Sequence, residues 1–347
     1  MTKQENLDWA DNLRVLAIIG VMLIHVSANA VSAFGHVELS SWWIANSIDG
    51  FSRFCVPIFV MLSGALLLPK DYDLVDFIKK RVSRIVLPFL FWSAVYILFF
   101  WYFKLANRHS MNPFQTFEWA YGFFQKGAAY HLWYIYMIIG LYLFVPIIGR
   151  WVRGASEKEI HYFLAIWICT LILNYSFLAV YKINIDLSYF TGYVGYLVLG
   201  YYLSTKTFTT KISIRKIALC FIVIGSAVTI IGNYCIAVQN GKYVFNGFYS
   251  FLGPSIFLAS SGLFLFIKSM HTTNNVFVVI RTFISQYSYG AYLVHVLVLG
   301  FLSNAGLHWQ FIHPLVGIPV TAFCCLVIST LIIYLLHKLP LGKYIAG

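Results

Sequence analysis

Arg14 and His25 lie eleven residues apart within one apolar run of this 347-residue chain, and ionisable residues inside such a run usually do chemistry or transport. At 3.6 residues per turn, eleven positions are almost three turns. The two side chains therefore share a helical face, roughly 16 Å apart along the axis. An imidazole kept neutral at membrane depth can serve as base or nucleophile toward a hydroxyl. A guanidinium near the surface suits phosphate better than an ammonium does. Blander roles are open to both: His25 could hydrogen-bond a neighbouring helix, and Arg14 could be a snorkelling anchor.

Other residues carry similar alternatives. The run Lys79-Lys80-Arg81-Val82-Ser83-Arg84 reads as a topology or anionic-lipid signal, yet Arg81 and Arg84, three apart, could grip a diphosphate together. Arg53 lies about ten residues into an apolar run, too deep to snorkel cheaply. It either lines a polar cavity or forms a structural pair with Asp49, one turn earlier. His131 opens another run, and His295 sits about a third of the way into a later one. Either could be an interhelical hydrogen-bonding histidine. Pro57 and Ser63-Gly64 are expected to bend the second run or let it pack closely.

The elements that must position these residues are membrane helices. Hydrophobic residues make up 60% of the chain, charged residues 10%, and the mean hydropathy is +0.78. No water-soluble core can hide that much apolar surface. About ten segments are long enough to span a bilayer: 14–34, 43–68, 83–103, 131–150, 161–181, 187–204, 214–237, 248–268, 287–307 and 314–337. The expected fold is an all-α polytopic bundle forming a single domain over 1–347, with no separate soluble domain. The net charge of +12 does not point to nucleic acid, because the basic residues are scattered through short loops. Most fall on one set of loops, including those around Lys79, Arg150, Lys211, Arg281 and Lys338. The other set holds Lys104, Arg108, Lys126, Lys182 and Lys242. By the positive-inside rule both termini face the cytoplasm of a cell (inner or plasma) membrane.

Residues 69–82 show helical spacing of Leu74, Phe77, Ile78 and Arg81 after a possible Asp73 cap, as in a short in-plane amphipathic helix. The outer connection 104–130 is rich in aromatics, among them Phe114, Phe117, Trp119, Tyr121, Phe123 and Phe124. It is expected to pack on the interface or roof a cavity. The six cysteines all fall in apolar runs and read as buried small hydrophobes, with neither disulfide nor metal. Ala28-Asn29-Ala30 looks like a leader cleavage site, but Glu5, Asp8, Asp11 and His25 argue against a leader, so the first span is expected to stay.

Together these residues resemble the acyltransferase 3 family of membrane acyltransferases. An arginine, ten residues and a histidine, here Arg14 to His25, is that family's mark in the first span. Further similarity runs through Val56-Pro57-Ile58-Phe59 with Ser63-Gly64, Arg81-x-x-Arg84 before Leu87-Pro88, His131-Leu132-Trp133-Tyr134, and Ser288-Tyr289-Gly290-Ala291-Tyr292 with His295. The Asp11-Asn12-Leu13-Arg14 start and the Arg53 to Gly64 segment look closest to the branch containing the O-acetyltransferase of enterobacterial common antigen.

The resemblance implies transfer of an acyl group, commonly acetyl from acetyl-CoA, to hydroxyls of surface or lipid-linked glycans, with no permanently bound cofactor. It implies a catalytic role for His25 and supporting or donor-binding roles for Arg14, Arg81 and Arg84. Asp49, Arg53, His131, Trp133, Tyr289 and His295 are then candidates for a cavity or acceptor site, Arg53 as an oxyanion stabiliser. Some relatives carry an additional hydrolase-like domain that completes transfer. Without one, this chain is expected to finish the reaction within the membrane or to hand the acyl group on. The rival reading is a transporter or flippase of a glycan or lipid-linked intermediate, weakened by the lack of inverted halves or matched broken helices. Acceptor identity and oligomeric state are not legible in the sequence.

Overall fold

The computed structural model describes residues 5–106, 118, 121–123, 127–173, 192–208, 212–244, 247–270 and 275–347. Every regular element among them is helical, as expected where lipid offers the backbone no hydrogen bonds. The first helix, α1 (Glu5–Ser32), carries both Arg14 and His25. It is followed by α2 (Leu39–Ser52), α3 (Cys55–Leu67), α4 (Leu74–Arg81), a π-helical turn (Val82–Val86) and α5 (Leu87–Ala106). Then come α6 (Trp133–Gly154), α7 (Glu157–Leu173), α8 (Val194–Thr205), α9 (Ile214–Asn240), α10 (Pro254–Lys268), α11 (Asn275–Asn304), α12 (Pro314–His337) and the short α13 (Gly342–Ile345).

Six stretches among the described residues are long and apolar enough to cross a membrane: Asp8–Ser32, Leu39–Leu67, Leu74–Tyr102, Trp133–Gly154, Ile214–Asn240 and Pro314–His337. Of the other expected spans, 248–268 is realised as the 15-residue α10, and 287–307 as part of α11, which begins a dozen residues earlier. The segments expected at 161–181 and 187–204 contain α7 and α8, but part of each lies outside the described residues, as does most of the aromatic connection 104–130.

α1 is central. It packs against α2, α3, α10, α11 and α12, and Leu13, Ala17, Ile18, Val21 and Met22 along it are buried. Small residues set close approaches elsewhere. A Cβ on Gly64 of α3 would fall 1.8 Å from the Leu197 carbonyl oxygen of α8, and one on Gly200 of α8 would fall 2.0 Å from that of Met61. This is the packing membrane helices use where lipid removes the hydrophobic drive. Large apolar side chains such as Leu143, Ile147, Phe301 and Phe323 are exposed on the outside of the bundle, where a soluble protein would carry polar groups.

Three expectations are corrected. The segment 69–82 holds the expected short helix, α4, whose Asp73 cap accepts from the Asp76 amide at 3.0 Å, but it is not a separate element: it continues through the π turn into α5. Pro88 has no N–H to give the carbonyl four residues back, which accommodates the wider turn before it. Arg281 is not a loop residue but lies inside α11, 2% exposed. Cys169, Cys220 and Cys235 are exposed on the outer surface, and only Cys55 and Cys325 are buried, because an apolar run in lipid has apolar residues on its outward face as well. The second span is interrupted just before Pro57, whose missing N–H leaves the Arg53 carbonyl without its usual donor, so that α2 and α3 are split at Arg53 and Phe54.

Candidate active site

α1 and α11 run parallel, and a polar seam joins them. Arg281 donates to Asp8 at 2.6 Å and to Asn12 at 3.3 Å. Ser285 donates to Asp11 at 2.6 Å, and Arg14 reaches both Asp11 at 2.8 Å and Ser285 at 2.7 Å. Further along the same two helices the seam ends in His25 and His295, whose ring centroids are 4.9 Å apart. On α11 the buried residues Arg281, Ser285, Ser288, Tyr292 and His295 recur every three or four positions and so form one stripe. That period was legible in the sequence and marks Arg281 and Ser285, which motif reading passed over, together with Tyr292, which it quoted without a role.

His131, in the turn that leads into α6, closes a three-histidine cluster. Its ring lies 4.8 Å from that of His295 and 6.4 Å from that of His25. Tyr292 fixes the turn by donating its hydroxyl to the His131 carbonyl, and Tyr96 of α5 packs its ring 5.3 Å from that of His131 while donating to the Leu293 carbonyl at 2.9 Å. His295 Nδ1 lies 2.6 Å from the Tyr292 carbonyl. A carbonyl only accepts, so Nδ1 carries the proton and Nε2 of the neutral ring presents a lone pair. That Nε2 and both ring nitrogens of His131 are buried without a well-formed hydrogen bond among the described residues. His25 is half-buried and is also flanked by Tyr130, ring to ring at 5.2 Å.

A cavity of about 830 Å³ opens beside this cluster. Arg14, Arg81 and Arg84 all line it, from α1, α4 and the π turn, and so does Tyr289. Arg81 is held under the rings of Phe77 and Tyr142, at 5.1 and 5.3 Å. Tyr134 and Tyr292 also line the cavity, their rings 5.4 Å apart. Tyr292 connects cavity and cluster, since its ring is 5.5 Å from those of both His131 and His295.

Asp49, Arg53 and Trp133 form a different set. Arg53 Nε bonds Asp49 at 2.6 Å, Ser27 donates to Asp49 at 3.2 Å, and the guanidinium donates to the Tyr249 carbonyl at 3.3 Å while lying 4.2 Å over the Tyr249 ring. Asn46, Asn233 and Tyr249 extend the network. Trp133 stacks on Phe251, whose ring also receives Arg53 at 5.4 Å. Arg53 thus donates to the Asp49 carboxylate and to the Tyr249 carbonyl, and Ser27 of α1 joins the pair from the neighbouring helix.

The family described as the acyltransferase domain (Acyl_transf_3) matches residues 7–338. The chain belongs to this acyltransferase family. No curated protein and no solved structure matches it. The matched residues include both halves of the polar seam, the three histidines of the cluster, and Arg14, Arg81 and Arg84.

Proposed function

We propose that this acyltransferase moves acetyl from cytoplasmic acetyl-CoA to a hydroxyl of a cell-surface or lipid-linked glycan. The observation that carries this reading is the convergence of Arg14, Arg81 and Arg84, distant in sequence, on one cavity whose Tyr292 wall adjoins the histidines around His25. Guanidinium groups from separate elements suit the phosphates of the donor. The thioester then points toward Tyr134 and Tyr292.

In the reaction His25 removes the proton of the acceptor hydroxyl as the oxygen bonds to the thioester carbonyl. Collapse of the tetrahedral intermediate breaks the carbon–sulfur bond, and the proton passes from His25 to the departing thiolate. The variant in which His25 carries the acetyl group briefly itself has the same start and end. The ring nitrogens of His131 and Nε2 of His295, buried without a well-formed hydrogen bond among the described residues, support a polar reaction zone, since such atoms are otherwise costly to leave so. The charge distribution of the loops supports a ten-span topology in the inner or plasma membrane, with the arginine cavity and both termini on the cytoplasmic side. The resemblance of the Asp11-Asn12-Leu13-Arg14 start and the Arg53 to Gly64 segment to the enterobacterial common antigen branch is what favours a glycan acceptor.

The test is to incubate membranes containing the protein with labelled acetyl-CoA and to follow label into glycan and lipid fractions. Donor-dependent label that disappears with His25→Ala is expected. Glycan movement without any label in either fraction would instead favour transport.

A further inference from the structure

The arginine cavity holds a cation beyond its three arginines. Beside Arg14, which is paired with Asp11, and Arg81 and Arg84, it is lined by Lys343, and no Asp or Glu among the described residues is on its wall, though the terminal residue Gly347 is. Lys343 belongs to α13, which packs against the π turn that carries Arg84, against α5 and against α12. This placement is built, not incidental. Trp92 Nε1 donates to the Ile345 carbonyl at 3.0 Å. Ala346 is fully buried, its carbonyl oxygen 2.1 Å from where a Cβ on Gly290 would stand. Gly342 lies so close to α12 that a Cβ there would meet the Leu336 carbonyl at 1.9 Å. Such contacts fix the backbone of Lys343 at the cavity rim, while its side chain stays exposed and packs its ammonium 4.9 Å over the Tyr344 ring. Lys338, a few residues earlier, is also exposed but does not line the cavity, and its ammonium sits 4.8 Å over Tyr334.

We propose that Lys343 recognises a second phosphorylated position on the donor, separate from the diphosphate gripped by the arginines. Arg81 and Arg84, three residues apart, can together hold a diphosphate, and Lys343, on a separate and firmly anchored element, adds a cation at the rim beyond them, which fits a phosphomonoester elsewhere on the same ligand. In the donor proposed above, on which this inference rests, the phosphomonoester is the ribose 3′-phosphate of coenzyme A. The ammonium suits that role: it is a compact charge on a flexible stem, reaching a tetrahedral monoester where no planar fork is needed. Lys343 thereby makes the cavity selective for coenzyme A over its 3′-dephospho form.

The experiment is equilibrium binding of labelled coenzyme A and of 3′-dephospho-coenzyme A to the full chain in lipid nanodiscs. The parent should bind coenzyme A about tenfold tighter than the dephospho form, one charge-assisted contact's worth. Lys343→Gln should bring that ratio close to one by weakening coenzyme A alone, Lys343→Arg should preserve most of it, and Lys338→Gln should leave it unchanged. If Lys343→Gln weakens both ligands equally, weakens neither, or is matched by Lys338→Gln, the role of Lys343 is overturned while the donor reading stands. If the parent binds neither ligand, the donor reading fails and this inference with it.

Discussion

His295 holds its ring 4.9 Å from that of His25 and anchors it through Nδ1 to the Tyr292 carbonyl at 2.6 Å. The anchor sets the tautomer, so that the lone pair of His295 is at Nε2, a buried atom with no well-formed hydrogen bond among the described residues. His25 thus has a fixed polar neighbour on the helix that packs beside its own.

This pairing separates two kinds of loss. His25→Ala should lower acetyl transfer by about 10²–10⁴-fold, the range for removing a general base, with donor binding retained. His295→Asn keeps a donor where Nδ1 was, and His295→Gln puts an amide where Nε2 was. Greater activity in the Gln variant than in the Asn variant, at equal folded yield, is expected if Nε2 is the working atom. The reverse order would assign His295 to holding the helix.

Arg81 and Arg84 should act on the donor, not on the chemical step. Replacing either with Ala is expected to raise KM for acetyl-CoA by about tenfold with little change in kcat, the pattern of lost uniform binding. Arg81→Lys should recover only part of this, because the planar group between Phe77 and Tyr142 is replaced by a point charge. Initial rates at varied donor concentration decide it.

The Asp49–Arg53 pair is fully inside the bundle, with side-chain exposures of 0% and 7%. Removing one partner leaves an uncompensated buried charge, so Asp49→Leu or Arg53→Met should each cost about 3–5 kcal/mol. The double variant should lose less than either single one. Thermal unfolding in detergent reads this out. A fully stable Arg53→Met protein with slowed turnover would instead support the oxyanion role for Arg53.

Gly64 and Gly200 have no room for a methyl group, the obstructing atoms being backbone carbonyls at 1.8 and 2.0 Å. Gly64→Ala or Gly200→Ala should destabilise the α3–α8 contact by at least the 1–3 kcal/mol or so typical of overpacking. The cavity should widen with it, since Leu62, Ser63 and Leu66 of α3 line its wall. Ala at Gly140, which has nothing within 4 Å of its Cβ position, is the control.

By itself the sequence determined the class of molecule. Apolar runs of span length force helices, and the eleven-residue spacing of Arg14 and His25 puts both on one face whatever the neighbours do, because helical geometry is local. The Asp73 cap and the Asp49–Arg53 pair were equally legible, each being a contact within one turn. Tertiary structure alone decided which faces meet. Nothing in the local pattern says that α11 lies parallel to α1, that its stripe from Arg281 to His295 meets Asp8, Asp11, Arg14 and His25, or that a turn before α6 supplies His131. These contacts bridge more than a hundred residues, and they depend on close packing between helices. The same holds for Arg281, whose charge in isolation reads as a loop marker of topology and whose burial is intelligible only once Asp8 and Asn12 are seen beside it. Lys343 is the converse case: ordinary in the sequence, it gains a place on the cavity wall because α13 folds back onto the π turn beside Arg84.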